Sequence, residues 1–255
     1  MKKIGFFLCF LGISFFLSGC LTISKFEPSA LIDVGKNLFS MATLSESDIN
    51  DLATESAKEL DAENRVASSQ SQYAKRLKRL VRQHHSEDDL NLDFKVYLDQ
   101  TINAFAMPNG TIRIYSGLMD KMTDQEILYV IGHEIGHVKY GHTKEKMQIA
   151  YAASAGKKLL SAYDSRIGQL ASGKVGLILE KFINAQFSQS EEKEADDYSF
   201  QFMKKHQYQA KAAITALNKL ADLGGNSNSF VTAFLSSHPS PRARAERLQA
   251  QLVTL

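Results

Sequence analysis

Three histidines and one glutamate lie within the stretch YVIGHEIGHVKYGH, which runs from Tyr129 to His142. His133 and His137 are four residues apart, so on a helix their side chains differ by only about 40 degrees around the axis and can reach one metal ion. Glu134 follows the first histidine, the position of a general base that acts on a metal-bound water in the His-Glu-x-x-His pattern. The pattern therefore predicts a hydrolytic zinc site.

A further ligand should lie downstream, because a catalytic zinc usually has three protein ligands and leaves a fourth position for water. His142 is five residues past His137, about 140 degrees away around the helix, so we expect it to point elsewhere. Glu192 and Asp196, in the stretch SEEKEADDYS, are four apart and share a face of a predicted helix. Glu192 could bind the metal while Asp196 accepts the outer ring N–H of a ligating histidine. The alternative for this acidic run is a solvated helix face.

The elements that must position these residues follow from hydrophobic periodicity. Residues 45–64 carry apolar side chains at helical spacing, and a second helix is predicted roughly from Ser69 to His84. Alternating apolar residues around Phe94 and Ile112 predict two or three short strands on either side of the turn Pro108-Asn109-Gly110. Thr123-Asp124 can cap a helix, and the chain then looks mostly helical to its end. We predict an α+β fold, predominantly helical with a small β-sheet beside the active-site helix.

The first twenty residues predict export and lipidation. A short positive segment precedes the apolar run Ile4–Phe16, which is too short to span a bilayer comfortably, and Leu17-Ser18-Gly19-Cys20 closes it. The alternatives are a buried N-terminal helix or a retained membrane anchor. Leu21 follows the cysteine where an aspartate usually marks inner-membrane retention, so we expect a lipid anchor on Cys20, palmitate included, in the outer membrane, facing the periplasm. The expected organisation is a lipoprotein signal peptide (1–19), a lipidated tether (20–43) and a zinc metallopeptidase domain (44–255).

Charge and cysteine content restrict the possible partners. The chain has 30 basic and 28 acidic residues, a balance that argues against nucleic acid as a partner. Cys9, the other cysteine, lies in the segment expected to be removed, so no disulfide is expected inside the mature domain. Stability must then come from packing and metal.

Four separated blocks of sequence carry a family resemblance: NAFAMPNGTIRIYSGLMD, IGHEIGHV, EKEADDYS and HPSPRARAERL. In this order they resemble the bacterial lipoprotein zinc metalloproteases of the LoiP and YcaL type, a gluzincin group related to HtpX and the CAAX prenyl proteases. The resemblance implies a zincin-like (gluzincin) fold. It also implies one Zn²⁺ per chain, held by His133, His137 and Glu192, with Asp196 orienting a histidine ligand.

Two further groups of residues take a role from this resemblance. The run Asn103, Ala104, Phe105 and Ala106 resembles a substrate-binding edge strand, which holds an extended peptide by strand addition; the alternative is an ordinary core strand. His238 and Arg244 resemble a C-terminal element that lies over the metal and can hydrogen-bond the oxyanion of the tetrahedral intermediate. The alternative for Arg244 is that it only fixes the loop.

The sequence thus predicts a zinc-dependent endopeptidase that cleaves unfolded or misassembled envelope proteins through a zinc-activated water, a role in envelope quality control. Its partners would be protein or peptide substrates and the membrane, through the lipid on Cys20. The rival hypothesis is a chaperone-like or scaffolding periplasmic lipoprotein with a latent or structural zinc site. Glu134 favours catalysis, since a structural site has no use for a base beside an open coordination position. The sequence does not decide the oligomeric state.

Overall fold

The computed structural model describes residues 44–154, 175–225 and 232–253. The predicted signal peptide (1–19), the tether (20–43) and Cys20 lie outside the described residues. The helices are α1 Glu46–Glu63, α2 Gln72–Leu80, α3 Ser116–Lys121, α4 Asp124–Lys139, α5 His142–Ser154, α6 Val175–Asn184, α7 Gln189–Lys205, α8 Lys211–Gly225, α9 Thr232–Ser237 and α10 Pro241–Val253. The strands are β1 Ser86–Glu87, β2 Leu90–Asn91, β3 Asp93–Tyr97, β4 Ala104–Ala106 and β5 Thr111–Tyr115. The architecture is the predicted α+β fold, mostly helical with small sheets.

The larger sheet has the order β3-β5-β4. Strand β5 pairs parallel with β3, with Phe94 opposite Ile112, and antiparallel with β4, with Ala104 opposite Ile114. Both isoleucines are fully buried. Strand β4 therefore lies at an edge of this sheet, and it contacts α4. The smaller sheet is the hairpin β1-β2, whose turn residues Asp88 and Asp89 have positive φ.

Helix α4 is the central helix of the domain. Thr123 caps it as predicted, and a capping box joins Thr123 to Glu126, which satisfies backbone N–H groups at the first turn. Every residue from Glu126 to Val138 is buried. Helix α7 begins in the same way, with Ser188 as the cap and Glu191 as its partner. Each cap fixes the residue at which its helix begins. It thereby also fixes which side chains α4 and α7 turn toward each other.

Small residues let α4 and α7 approach closely. A Cβ atom on Gly136 would lie 3.0 Å from Ala195 Cα and 3.1 Å from its carbonyl oxygen. A Cβ on Gly132 would lie 2.8 Å from the ring of Phe202 and from Ser199 Oγ. This narrow seam brings the acidic face of α7 against the histidine face of α4.

Helix α2 is shorter than predicted. It spans Gln72–Leu80 instead of roughly Ser69 to His84. At its start, the side chain of Ser71 accepts a hydrogen bond from the Ala74 N–H, so the helix cannot extend further back. At its end, Val81 takes φ −95° and ψ 9° as the C-cap, and the residues up to His84 form a turn. No helix within the described ranges is long and apolar enough to cross a membrane.

Candidate metal centre

Four buried side chains converge between α4, α7 and the turn that precedes α10. His133 Nε2 and His137 Nε2 lie 3.0 Å apart. Glu192 Oε1 is 3.4 Å from His137 Nε2, and Glu192 Oε2 is 3.6 Å from His133 Nε2. His238 Nδ1 is 2.9 Å from Glu192 Oε1 and 3.3 Å from His133 Nε2. These four residues could hold a metal ion, and imidazole nitrogen with carboxylate oxygen is a donor set that suits zinc.

The outer nitrogens of both α4 histidines have partners of their own. His133 Nδ1 lies 3.1 Å from Asp196 Oδ1, the contact that the sequence predicted. His137 Nδ1 lies 3.1 Å from His142 Nδ1. With Nδ1–H donating outward, each Nε2 presents its lone pair to the cluster. Burial lowers the pKa of His137 well below its usual range, which favours the neutral imidazole that binds metals.

His142 is not among the four candidate ligands, as expected, but its contact with the outer nitrogen of His137 was not foreseen. The angle calculated along one helix does not apply, because α4 ends at Lys139 and Gly141 takes φ +77° before α5 begins. His142 therefore turns back toward His137. Its other ring nitrogen, Nε2, lies 3.1 Å from Glu194 Oε2.

Arg244 holds two carboxylates of α7, those of Asp196 and Glu192. Its Nε and Nη2 donate to Asp196 at 2.9 and 2.7 Å, and its Nη1 contacts Glu192. Tyr129 donates a further hydrogen bond to Asp196 Oδ1 at 2.6 Å. Burial alone would raise the pKa of Asp196, but Arg244 and His133 outweigh it and hold that pKa well below its usual range. Burial also opposes ionisation of Glu192, and the charges of His238 and Arg244 lower its pKa.

The position of Arg244 bears on its two predicted roles. It is absent from the described residues that line the cavity beside Glu134. Its guanidinium faces the carboxylates of Asp196 and Glu192, and its Nη2 lies 3.4 Å from His133 Nδ1. This geometry favours the alternative in which Arg244 fixes its surroundings, and it does not place the guanidinium where an oxyanion would form.

Glu134 lies beside the cluster and faces a narrow cavity. Its side chain is 1% exposed, and among the described residues its Oε1 has no hydrogen-bond partner. His238 Nε2 is 3.7 Å from that oxygen. The cavity has a volume of about 10 Å³, about the size needed for one water molecule. It is lined by Asn103, Ala104, Phe105, Ala106, Glu134, Lys146, Phe182, Ile183, Phe187, Ser237 and His238.

The predicted substrate strand is part of this cavity wall. Asn103 and the three residues of β4 are buried, and β4 pairs with β5 on one side. The structure therefore brings the strand next to Glu134 and His238, at an edge of the sheet. Its role in holding a peptide stays a prediction.

Lys146 is a residue of the site that the sequence did not reveal. It is 7% exposed, and its Nζ lies 4.2 Å from the ring centroid of Phe187 and 5.0 Å from that of Phe182. Burial lowers its pKa to about 8, while the charges of Glu134 and Glu192 oppose this shift. A lysine on a predicted helix normally lies in solvent, so no sequence signal marks this one.

The chain is similar in sequence to known proteins. The profile of peptidase family M48 matches residues 67–252, which contain every residue of the cluster. The chain is 36% identical to metalloprotease YcaL of Escherichia coli K12 over 239 residues, which cover 93% of each chain. It is 34% identical to metalloprotease LoiP of the same organism over 253 residues, 98% of this chain and 97% of LoiP. A putative β-barrel assembly-enhancing protease of Vibrio cholerae is 30% identical over 149 residues, 54% of this chain and 30% of that protein.

Proposed function

We propose that this chain, which belongs to peptidase family M48 and is a metalloendopeptidase, hydrolyses peptide bonds with Zn²⁺ held by His133, His137 and Glu192. The observation that carries the proposal is the convergence of the two Nε2 atoms, 3.0 Å apart, on the Glu192 carboxylate. Glu134 lies beside them with an unpartnered carboxylate oxygen among the described residues. A metal held there would have a base next to it.

Each protein group then has a step to perform. Bound zinc would supply a Lewis acid that lowers the pKa of water and polarises the scissile carbonyl. Glu134 takes a proton from the attacking water at its carboxylate and passes it to the nitrogen of the leaving amine. His238 Nε2, on the cavity side of its ring, donates a hydrogen bond to the developing oxyanion. Asp196 keeps His133 in the tautomer that leaves Nε2 free to bind.

Substrate peptides would bind as an added strand. Strand β4 lies at a sheet edge next to Glu134, so an extended peptide that pairs with Asn103–Ala106 would pass the base. Main-chain pairing of this kind tolerates many sequences, which suits unfolded or misassembled proteins. The residues of β4 are buried and the cavity beside Glu134 has room for about one water molecule, so the residues that line it would have to move apart for a peptide to reach the strand.

A rival proposal is a latent enzyme, and the position of His238 supports it. Its Nδ1 lies within the group that could hold the metal. Four protein ligands would close the coordination sphere, as in structural zinc sites. His238→Ala separates the roles: loss of an oxyanion donor slows cleavage about 100 to 1,000 fold, whereas loss of a blocking ligand accelerates it.

Envelope proteins are the proposed substrates, and the outer membrane, on its periplasmic side, is the proposed location. The motif Leu17-Ser18-Gly19-Cys20 with Leu21 supports lipidation and sorting, and the name of the Vibrio cholerae relative refers to β-barrel assembly. Cells labelled with a clickable palmitate analogue should yield labelled wild-type chain and unlabelled Cys20→Ser. Equal labelling of both, or recovery of the wild type in the inner membrane, would contradict this part of the proposal.

Unfolded casein tests the enzymatic proposal. The purified full chain should cleave casein, lose the activity in a metal chelator and recover it when Zn²⁺ is restored. Cleavage that persists in chelator would refute the metal mechanism. A zinc-loaded chain whose wild type and His238→Ala form both leave casein intact would support the rival scaffolding protein.

A further inference from the structure

A second group of metal-binding side chains lies away from the centre described above. His84 Nδ1 is 3.0 Å from Glu87 Oε2, and His206 Nε2 is 3.1 Å from the same carboxylate. His84 and Glu87 are buried, and His206 is half-buried. His206 caps the C-terminal end of α7, fourteen residues past Glu192 and so about 21 Å along the helix. The two groups share no residue.

The geometry of this group is close to that of a three-ligand metal site. Each residue offers one ligand atom, and all three atoms lie within 4.8 Å of one another. Zinc bonds of about 2.0 to 2.2 Å in a tetrahedral site separate ligand atoms by about 3.3 to 3.5 Å. Separations of 3.0 and 3.1 Å reach that spacing when the ligands move apart by a few tenths of an ångström.

The outer nitrogen of His84 has a suitable partner. His84 Nε2 lies 2.8 Å from the hydroxyl oxygen of Tyr208. A ligating histidine normally donates its other ring N–H to such an oxygen, which fixes the tautomer and the ring orientation. With Nε2–H donating to Tyr208, Nδ1 carries the lone pair that faces Glu87 and His206.

The buried carboxylate of Glu87 needs a positively charged partner, and its present partner, Lys205, can be replaced. Lys205 Nζ lies 2.5 Å from Glu87 Oε1 and 2.9 Å from Asp88 Oδ1, but the lysine side chain is 54% exposed. Glu87 and Lys205 line a cavity of about 250 Å³, with Asp88, Tyr198, Gln201 and Phe202. Of the three candidate ligands only Glu87 lines this cavity, which gives its carboxylate access to solvent and leaves room there for a water molecule. A metal ion can therefore take the place of the ammonium group.

We propose that His84, Glu87 and His206 form a second site for a divalent metal ion of the zinc class. Its ligands come from the segment around β1 and from the C-terminal end of α7, so a bound ion would tie the β1-β2 hairpin to the helix that carries Glu192 and Asp196. This site is independent of the proposed catalytic function. The competing account is a metal-free network in which Lys205 is the permanent partner of Glu87.

The experiment is a zinc titration of the demetallated full chain in competition with a chelator of known affinity. The wild type should bind two equivalents. His206→Gln keeps an N–H donor for Glu87 but removes the imidazole, so it should weaken the second equivalent more than 100-fold, beyond the about 10 to 100 fold typical of outer partners. His85→Gln, an exposed neighbour, should retain both equivalents.

Three further variants decide between the accounts. His133→Ala should lose the first equivalent and keep the second, and the double variant with His206→Gln should bind neither. Lys205→Met removes the competing ammonium and should tighten the second equivalent about tenfold. The proposal is overturned if the wild type binds a single equivalent that His133→Ala abolishes, or if His206→Gln leaves a second equivalent unchanged, since that ion would then be bound elsewhere.

Discussion

Replacing Asp196 by asparagine tests how the site is held together. Both carboxylate oxygens are in use: Arg244 donates to each of them, and Oδ1 also faces His133 Nδ1 and the Tyr129 hydroxyl. Asparagine keeps the shape of the side chain, but it removes the charge and turns one acceptor into an NH₂ donor. At least one of the groups that donate to Asp196 would then meet the NH₂ group, which is itself a donor.

The cost to stability follows from the burial of Arg244. Its side chain is 8% exposed, and loss of one partner from a buried ion pair typically costs about 3 to 5 kcal/mol. Glu192 remains as a second negative partner, so we expect the lower end, about 3 kcal/mol, from urea unfolding in chelator at pH 7. Because the pKa of Asp196 is depressed, this contribution is complete above the unfolded pKa of about 3.9 and is lost as the pH falls through the lower folded pKa.

The same variant should weaken metal binding. Loss of the charged acceptor for the outer N–H of His133 should reduce zinc affinity about 10 to 100 fold in a chelator competition. Asp197→Asn is the matched control, because its partly exposed pair with Arg247 should cost less than about 1 kcal/mol and leave zinc affinity unchanged. If Asp196→Asn matches the wild type in both measurements, Asp196 has no part in orienting the site.

Two other changes examine packing and buried charge. Gly136→Ala should lower the free energy of unfolding by about 1 to 3 kcal/mol and weaken zinc binding, because its Cβ would meet the Ala195 backbone and push α7 away. The control is Gly176→Ala, whose Cβ would lie at an ordinary distance of 3.5 Å from Glu59. Unchanged stability and affinity in Gly136→Ala would contradict the close seam. Lys146→Met removes the buried amine. As the pH rises from about 8 to 10.5, the free energy of unfolding of the wild type should increase by up to about 3 kcal/mol relative to that of the variant. The reason is that in this pH range Lys146 keeps its proton in the unfolded chain but loses it in the folded chain. A pH-independent difference between the two unfolding curves would show that Lys146 titrates normally.

The sequence predicted those parts of the site whose geometry is set by the residue spacing within a single helix. The spacing of His133 and His137 and that of Glu192 and Asp196 place each pair on one helical face, and the structure has both pairs facing the same cluster. The cap at Thr123 could also be predicted, because capping depends only on residues that are close in sequence.

The features that were missed depend on how separate elements meet. His142 reaches His137 only because Gly141 reverses the chain between two helices. Lys146 is buried because the aromatic rings of Phe182 and Phe187, from α6 and the segment before α7, cover it. His238 Nδ1 enters the ligand group through the placement of α9 and α10. None of these contacts leaves a periodic signal in the sequence.

The most direct test of the central claim is the paired measurement of zinc binding and casein cleavage in Glu134→Gln. The amide fills the space of the carboxylate but cannot accept the proton of the attacking water. General-base catalysis typically contributes about 100 to 10,000 fold. The variant should therefore bind zinc as the wild type does and cleave casein at least about 100 times more slowly. Cleavage at the wild-type rate by the zinc-loaded variant would contradict the account.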